Sequence, residues 1–159
     1  MNRLIRWTGE GLEYEANQRH AEAIVKDMKL EGGKVVVTPC STESDLKDDL
    51  PNDDVIEDWK TDTLFRGIAA RLNFLAADRP DLQYASNGTS KHMSKPSARG
   101  WRLLKRVARY LIGSARTVQK FDFCKPDFIL KGFGASDWAG DRATGKSNSG
   151  GALRGRATS

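Results

Sequence analysis

Seven cations dominate the chemistry open to this chain: Lys91, Lys95, Arg99, Arg102, Lys105, Arg106 and Arg109. Stepped at about 100° per residue, as a helix requires, residues 99–112 separate into two faces. Trp101, Leu103, Leu104, Val107, Ala108 and Leu111 fall on one side, and Arg99, Arg102, Lys105, Arg106 and Arg109 on the other. A solvated helix face interleaves both signs, because an acid four residues from a cation supports the helix. Here no acid occurs between Asp81 and Asp122, and Arg116 and Lys120 prolong the positive run. A helix of one sign in a neighbourhood of that sign points to a surface that meets phosphate. Trp101 has a ring able to stack on a base, but its place on the apolar arc favours packing.

Other residues offer weaker chemistry. Gly140-Asp-Arg-Ala-Thr-Gly-Lys-Ser147 satisfies the phosphate-loop pattern G-x-x-x-x-G-K-[ST] letter for letter. Such a loop works when a helix starts at the Lys-Ser pair and adds its dipole to the backbone N–H groups. Asn148, Ser149, Gly150 and Gly151 are poor helix formers, so a nucleotide-binding protein is the lesser alternative. Asp137 and Asp141 lie just beyond an expected strand, where paired acids can hold a divalent metal for phosphodiester hydrolysis. On that ground alone Asp137 is a candidate metal ligand. His20 and His92 lack a Ser or Cys at motif spacing and read as surface or packing residues.

The elements that must position these residues follow from pattern. The 159 residues make room for one domain or pieces of two, with 38% hydrophobic and 30% charged residues and a net charge of +5. No apolar run is long enough to span a bilayer, and the start lacks the apolar core of a signal peptide. Cys40 and Cys124 have no Cys or His at metal-ligand spacing, so both read as reduced thiols of an intracellular protein. The turn Thr8-Gly-Glu-Gly11 predicts a hairpin of residues 3–7 and 12–16. Asn17 caps an expected helix with Ala21, Ile24, Val25 and Met28 inside, ended by Gly32-Gly33. Residues 34–38 read as a short strand or an extended connector. Eight acids between Glu43 and Asp58, with Pro51 and Asn52 among them, predict a surface linker. A second helix over residues 62–77 buries Leu64, Phe65, Ile68, Leu72 and Leu75, and a short third one follows Pro80, with Leu82 and Tyr84 free to pack. After the basic helix, closed by Gly113, strands are expected at residues 117–124, 128–133 and 147–153, with a frayed tail.

Taken in order, these pieces resemble one family. Residues 18–25 and 34–39 resemble the palm-to-thumb join of the polymerase of Ty1/copia-type retrotransposons. Phe65-Arg-Gly-Ile-Ala-Ala-Arg-Leu-Asn-Phe-Leu75 is similar to that family's thumb helix, and Asp78-Arg-Pro-Asp-Leu-Gln-Tyr-Ala85 to its Arg-Pro-Asp-Ile signature. His92-Met-Ser-Lys-Pro96 and Lys105-Arg-Val-Ala-Arg-Tyr-Leu-Ile-Gly113 resemble the two pieces that follow. Gly132-Phe-Gly-Ala-Ser-Asp-Trp-Ala-Gly-Asp141 with Lys146-Ser-Asn-Ser-Gly-Gly151 resembles the opening of its ribonuclease H domain. The resemblance implies an α+β fold: an N-terminal hairpin, a helical thumb-like bundle, then a short β segment from an incomplete ribonuclease H-like sheet. It implies four stretches: 1–39, palm-to-thumb hairpin, helix and connector; 40–61, acidic linker; 62–124, thumb and connection with the basic face; and 125–159, a truncated ribonuclease H-like start.

It also implies an ancestry in a reverse transcriptase and ribonuclease H polyprotein, working with magnesium in the intact enzyme. The family's Tyr-x-Asp-Asp motif does not occur here. The first ribonuclease H carboxylate falls at Ala135, and Asp137 matches the second Asp, which is not the primary ligand. The expectation is therefore a fragment with no catalytic residue and no cofactor of its own. Its partners would be RNA–DNA hybrid or duplex nucleic acid, bound without sequence preference through the seven cations, and the remainder of the Pol polyprotein. A decayed or repurposed non-catalytic remnant is the alternative.

Overall fold

A glycine-bearing turn folds the first strands back on each other. β1 (Leu4–Trp7) pairs antiparallel with β2 (Gly11–Glu15), with Leu4 opposite Glu15 and Trp7 opposite Leu12. The computed structural model describes residues 3–40, 61–123, 128–138 and 145–157. The acidic stretch from 41 to 60 lies outside them, as do Cys124 and most of the phosphate-loop match. Within the described residues the architecture is α+β, with four α-helices, one 3₁₀ turn and two small antiparallel sheets.

Asn17 caps α1 (Gln18–Asp27) by accepting from the Arg19 N–H, and Ala21, Ile24, Val25 and Met28 are buried as their spacing requires. The helix does not run on to Gly32-Gly33. It stops at Met28 because Lys29 takes φ 53°, so that Leu30 N–H bonds the Val25 carbonyl and Lys29 N–H that of Lys26. This is the glycine-type C-terminal motif built with a lysine. Residues 34–38 form no strand and are a connector.

Thr61 caps α2 (Asp62–Ala76), which buries Phe65, Ile68, Leu72 and Leu75 and leaves Leu64 half-covered. Pro80 opens a 3₁₀ turn (Pro80–Leu82) that leads into α3 (Gln83–Ser90); Leu82 is buried, whereas Tyr84 faces solvent. α4 (Ala98–Gly113) carries the basic run. α1, α2, α3 and α4 pack around one core, in which Trp101 meets Phe65 edge-on at 5.3 Å between ring centroids.

β3 (Val118–Asp122) joins β2, not the later strands: Glu15 lies opposite Val118 and Leu12 opposite Phe121, so the first sheet has the order β1-β2-β3. The second sheet is a two-stranded ribbon of β4 (Phe128–Ser136) and β5 (Ser149–Ala157). Its last residues are not frayed, since Gly155 pairs with Leu130 and Ala157 with Phe128.

Candidate nucleic-acid interface

The basic helix starts where a hydroxyl is available. The Ser97 side chain accepts from the Gly100 N–H, and its oxygen lies 2.9 Å from His92 Nδ1. His92 therefore does have a serine partner, five residues away, a pairing that its isolation in the sequence concealed. The contact positions a helix cap; Ser97 and the His92 ring stand where α3 hands over to α4. Gly100 is required there, because a Cβ would sit 2.8 Å from the His92 Cβ and 3.0 Å from the Phe65 ring.

Amphipathicity fixes the rotation of α4. Trp101, Leu104, Val107, Ala108 and Leu111 are buried in the core, and Leu103, at the margin of the apolar arc, is only half-covered. Trp101 is thus a packing residue. Lys91, Lys95 and Arg99 are exposed, while Arg102, Lys105, Arg106 and Arg109 are half-buried. The stripe is not a bare row of charges. Arg106 Nε donates to the Cys40 carbonyl at 3.2 Å and its Nη2 to Thr38 Oγ1 at 3.1 Å, which pins the connector to the helix. Lys91 Nζ donates to Asn148 Oδ1 at 3.2 Å, tying the end of α3 to the second sheet. Lys91, Arg99, Arg102, Lys105, Arg106 and Arg109 each have at least one further interaction within the chain. Nucleic acid reaching this face must exchange with those interactions. Burial pushes the half-covered Cys40 thiol up, and the Arg106 charge offsets this in part.

Asp137, the candidate metal ligand, is committed elsewhere. Its carboxylate accepts from the Asn148 backbone N–H and side-chain amide, and its own N–H donates to the Asn148 carbonyl at 3.0 Å. Those bonds close the neck of the β4–β5 ribbon. Ala135 stands two positions back, opposite Gly150, and offers no ligand atom. Among the described residues no three His, Cys, Asp or Glu side chains gather to hold a metal. The donors among the described residues therefore do not suit the magnesium that the family resemblance implies for an intact enzyme. At the phosphate-loop match, Lys146 and Ser147 run into strand β5 and not into a helix, which removes the dipole the motif depends on.

The polar residues that the structure uses most are ones the charge pattern did not single out. Arg79, 1% exposed, grips Asp81 through Nε at 2.9 Å and Nη2 at 2.7 Å, and its Nη1 donates to the Ser114 carbonyl at 3.0 Å. The Tyr110 hydroxyl donates to the same Asp81 carboxylate at 2.9 Å. Asp78 next door accepts from Arg3 Nε at 2.9 Å and from the Tyr14 hydroxyl at 2.5 Å, while Gln119 Nε2 donates to its carbonyl at 2.6 Å. Asp78-Arg79-Pro80-Asp81 thus rivets the first sheet and the end of α4 to α2. Burial pushes the Asp78 and Asp81 carboxyls up, but hydrogen bonds and charge from Arg3 and Tyr14, and from Arg79 and Tyr110, outweigh it and hold both below the usual range. Arg116 does the same to Glu15, through bonds of 2.7 and 3.1 Å.

The chain matches no family model and no solved structure. In sequence, however, the chain is similar to retrovirus-related Pol polyproteins from transposons, which bears out the resemblance to a retrotransposon Pol polyprotein. It is 43% identical over 81 residues to the Pol polyprotein of transposon RE2 from Arabidopsis thaliana, covering 50% of this chain and 5% of that polyprotein. It is 24% identical over 137 residues to the Pol polyprotein of transposon TNT 1-94 from Nicotiana tabacum, covering 85% of this chain and 10% of the relative. The uncharacterized mitochondrial protein AtMg00810 of Arabidopsis thaliana is 35% identical over 89 residues, which are 54% of this chain and 35% of that protein. The chain thus spans a small part of the polyproteins it matches. No helix among the described residues is long and apolar enough to cross a membrane.

Proposed function

We propose that this chain corresponds to the thumb and connection of a transposon reverse transcriptase together with the first strands of its ribonuclease H domain. In this reading it binds duplex or RNA–DNA hybrid nucleic acid without sequence preference and catalyses nothing on its own. The observation that carries the proposal is α4: its apolar side is buried and its other side holds Arg99, Arg102, Lys105, Arg106 and Arg109 with no acid in the helix. The order in which the motifs from Phe65 to Gly113 resemble that family's thumb pieces supports the thumb assignment. The uncovered β4–β5 ribbon, with Leu130 and Leu153 on one face both more than half exposed, supports a sheet that belongs to a larger one. Ala135 and the clasped Asp137 argue for lost hydrolysis.

The test is a titration of a 24-base-pair RNA–DNA hybrid at several salt concentrations. The comparison is the wild type against the quadruple variant Arg99→Gln, Arg102→Gln, Lys105→Gln, Arg109→Gln, with Arg106 kept because it holds the connector. Each phosphate contact contributes a salt slope of about 0.9 on a log–log plot, so the variant's slope should be shallower by about 3 or more. Equal affinity and slope for the two proteins would sink the proposal. Magnesium-dependent cutting of the RNA strand by the wild type would refute the non-catalytic part.

A further inference from the structure

The β4–β5 ribbon carries a cationic and aromatic face that the basic helix does not explain. Alternate residues of a strand share a face, so Ile129, Lys131, Phe133 and Ala135 of β4 lie together with Arg154, Ala152 and Gly150 of β5. The register sets Lys131 directly opposite Arg154, and both are exposed. Like charges directly opposed across a strand pair destabilise it. No acid on this face relieves them: the cross-strand set from Lys131 to Gly150 contains none. Phe133 sits beside the cation pair and is 57% exposed. Its cross-strand partner is Ala152, and of the two diagonal neighbours on β5, Gly150 and Arg154, only the arginine carries a large side chain.

We infer that this face is a binding site for single-stranded nucleic acid, with a backbone phosphate bridging Lys131 and Arg154 and a base stacked on Phe133. The two halves of the site answer the two halves of a nucleotide. A phosphate between the opposed cations turns their repulsion into attraction, and an exposed ring next to glycine and alanine offers a π-face of base size. The site is separate from α4, so it stands whether or not the helix binds a duplex. The Lys91–Asn148 contact sets the ribbon against the end of α3, beside the start of the basic run.

The experiment uses the full chain and a fluorescent dT12 strand, with its duplex as comparison. Lys131→Gln with Arg154→Gln should flatten the salt slope for dT12 by about 0.7, the contribution of the one single-strand phosphate they bridge. Phe133→Ala should weaken dT12 at least about fivefold while changing duplex affinity little. Arg154→Glu separates binding from folding: it replaces repulsion of Lys131 with attraction, so the melting temperature should rise while dT12 binding falls. Unchanged dT12 affinity in the double variant and in Phe133→Ala would overturn the inference. So would equal loss of dT12 and duplex binding in Phe133→Ala. The quadruple α4 variant, tested beside these, should keep its dT12 response to the ribbon substitutions; loss of that response would show that the ribbon only seconds the helix.

Discussion

Arg79→Met is the substitution that most directly questions the account of how this fold is held. The guanidinium is 1% exposed and makes a two-point contact with Asp81, at 2.9 and 2.7 Å, while also serving the Ser114 carbonyl at the end of α4. Removing one member of a buried pair costs about 3–5 kcal/mol, because the other charge is left uncompensated. Two features move this case toward the lower figure: the Asp81 side chain is 30% exposed, and Tyr110 still donates to it. One moves it upward, since the Ser114 and Ala115 carbonyls lose their donor, at about 1 kcal/mol for each that stays out of water. The expected loss is about 3–4 kcal/mol, a large share of the roughly 5–15 kcal/mol that holds a domain together. Urea unfolding followed by far-ultraviolet circular dichroism measures it, with the slope of the transition unchanged. Arg79→Lys should recover only part of the loss, because an ammonium cannot reproduce the planar fork. A loss below about 1 kcal/mol for Arg79→Met would refute the idea that this arginine organises the join.

Other consequences are as direct. Lys29 holds φ 53° at the end of α1, so Lys29→Gly should raise stability by about 0.5–1 kcal/mol in the same urea assay. Gly100→Ala sets two rules against each other: helix propensity favours alanine by about 1 kcal/mol, but the new Cβ meets His92 and Phe65. The steric conflict should win, and the variant should melt lower than wild type. Asp78, Asp81 and Glu15 all have carboxyls held below their usual range, so each stabilises the fold fully above its unfolded pKa and ceases to as pH falls through its lower, folded one. Stability measured against pH should therefore be level down to about pH 5 and fall below about pH 4, where unfolded carboxyls take up protons. Asp78→Asn should make that fall shallower.

Much of this was legible in the residues, for identifiable reasons. α1, α2 and α4 announce themselves because their apolar positions recur every three or four residues and Asn17, Thr61 and Ser97 stand ready as caps. What escaped depends on distance along the chain. Nothing local in Val118–Asp122 says that it pairs with Gly11–Glu15, since that choice is made by side chains such as Glu15 and Arg116 meeting across most of the sequence. The strand through Gly155 and Arg156 escaped because its glycines read as a breaker, whereas its pairing with β4 satisfies the backbone regardless. The end of α1 escaped because a lysine does what a glycine would have signalled. The basic face was visible as charge, but its partial cover was not, because Arg106 is held by carbonyl and hydroxyl oxygens of residues 38–40, which carry no charge.

The first sheet also has a kinetic meaning. β1 and β2 are joined by a tight turn, and α2, α3 and α4 by short connections, so the contacts within each group are local. The β2–β3 seam, with Glu15 opposite Val118, instead closes a loop of about a hundred residues and meets the entropic cost of doing so. Such long-range pairing is what slows folding most strongly. α2, α3 and α4 can therefore assemble early, and the arrival of the N-terminal hairpin and α1, sealed by β3 on β2, becomes the slow step that commits the chain. Until then β2 is an open strand edge, exposed to any other chain that offers a strand. An aggregation hazard of this protein thus lies in the interval before β3 reaches β2.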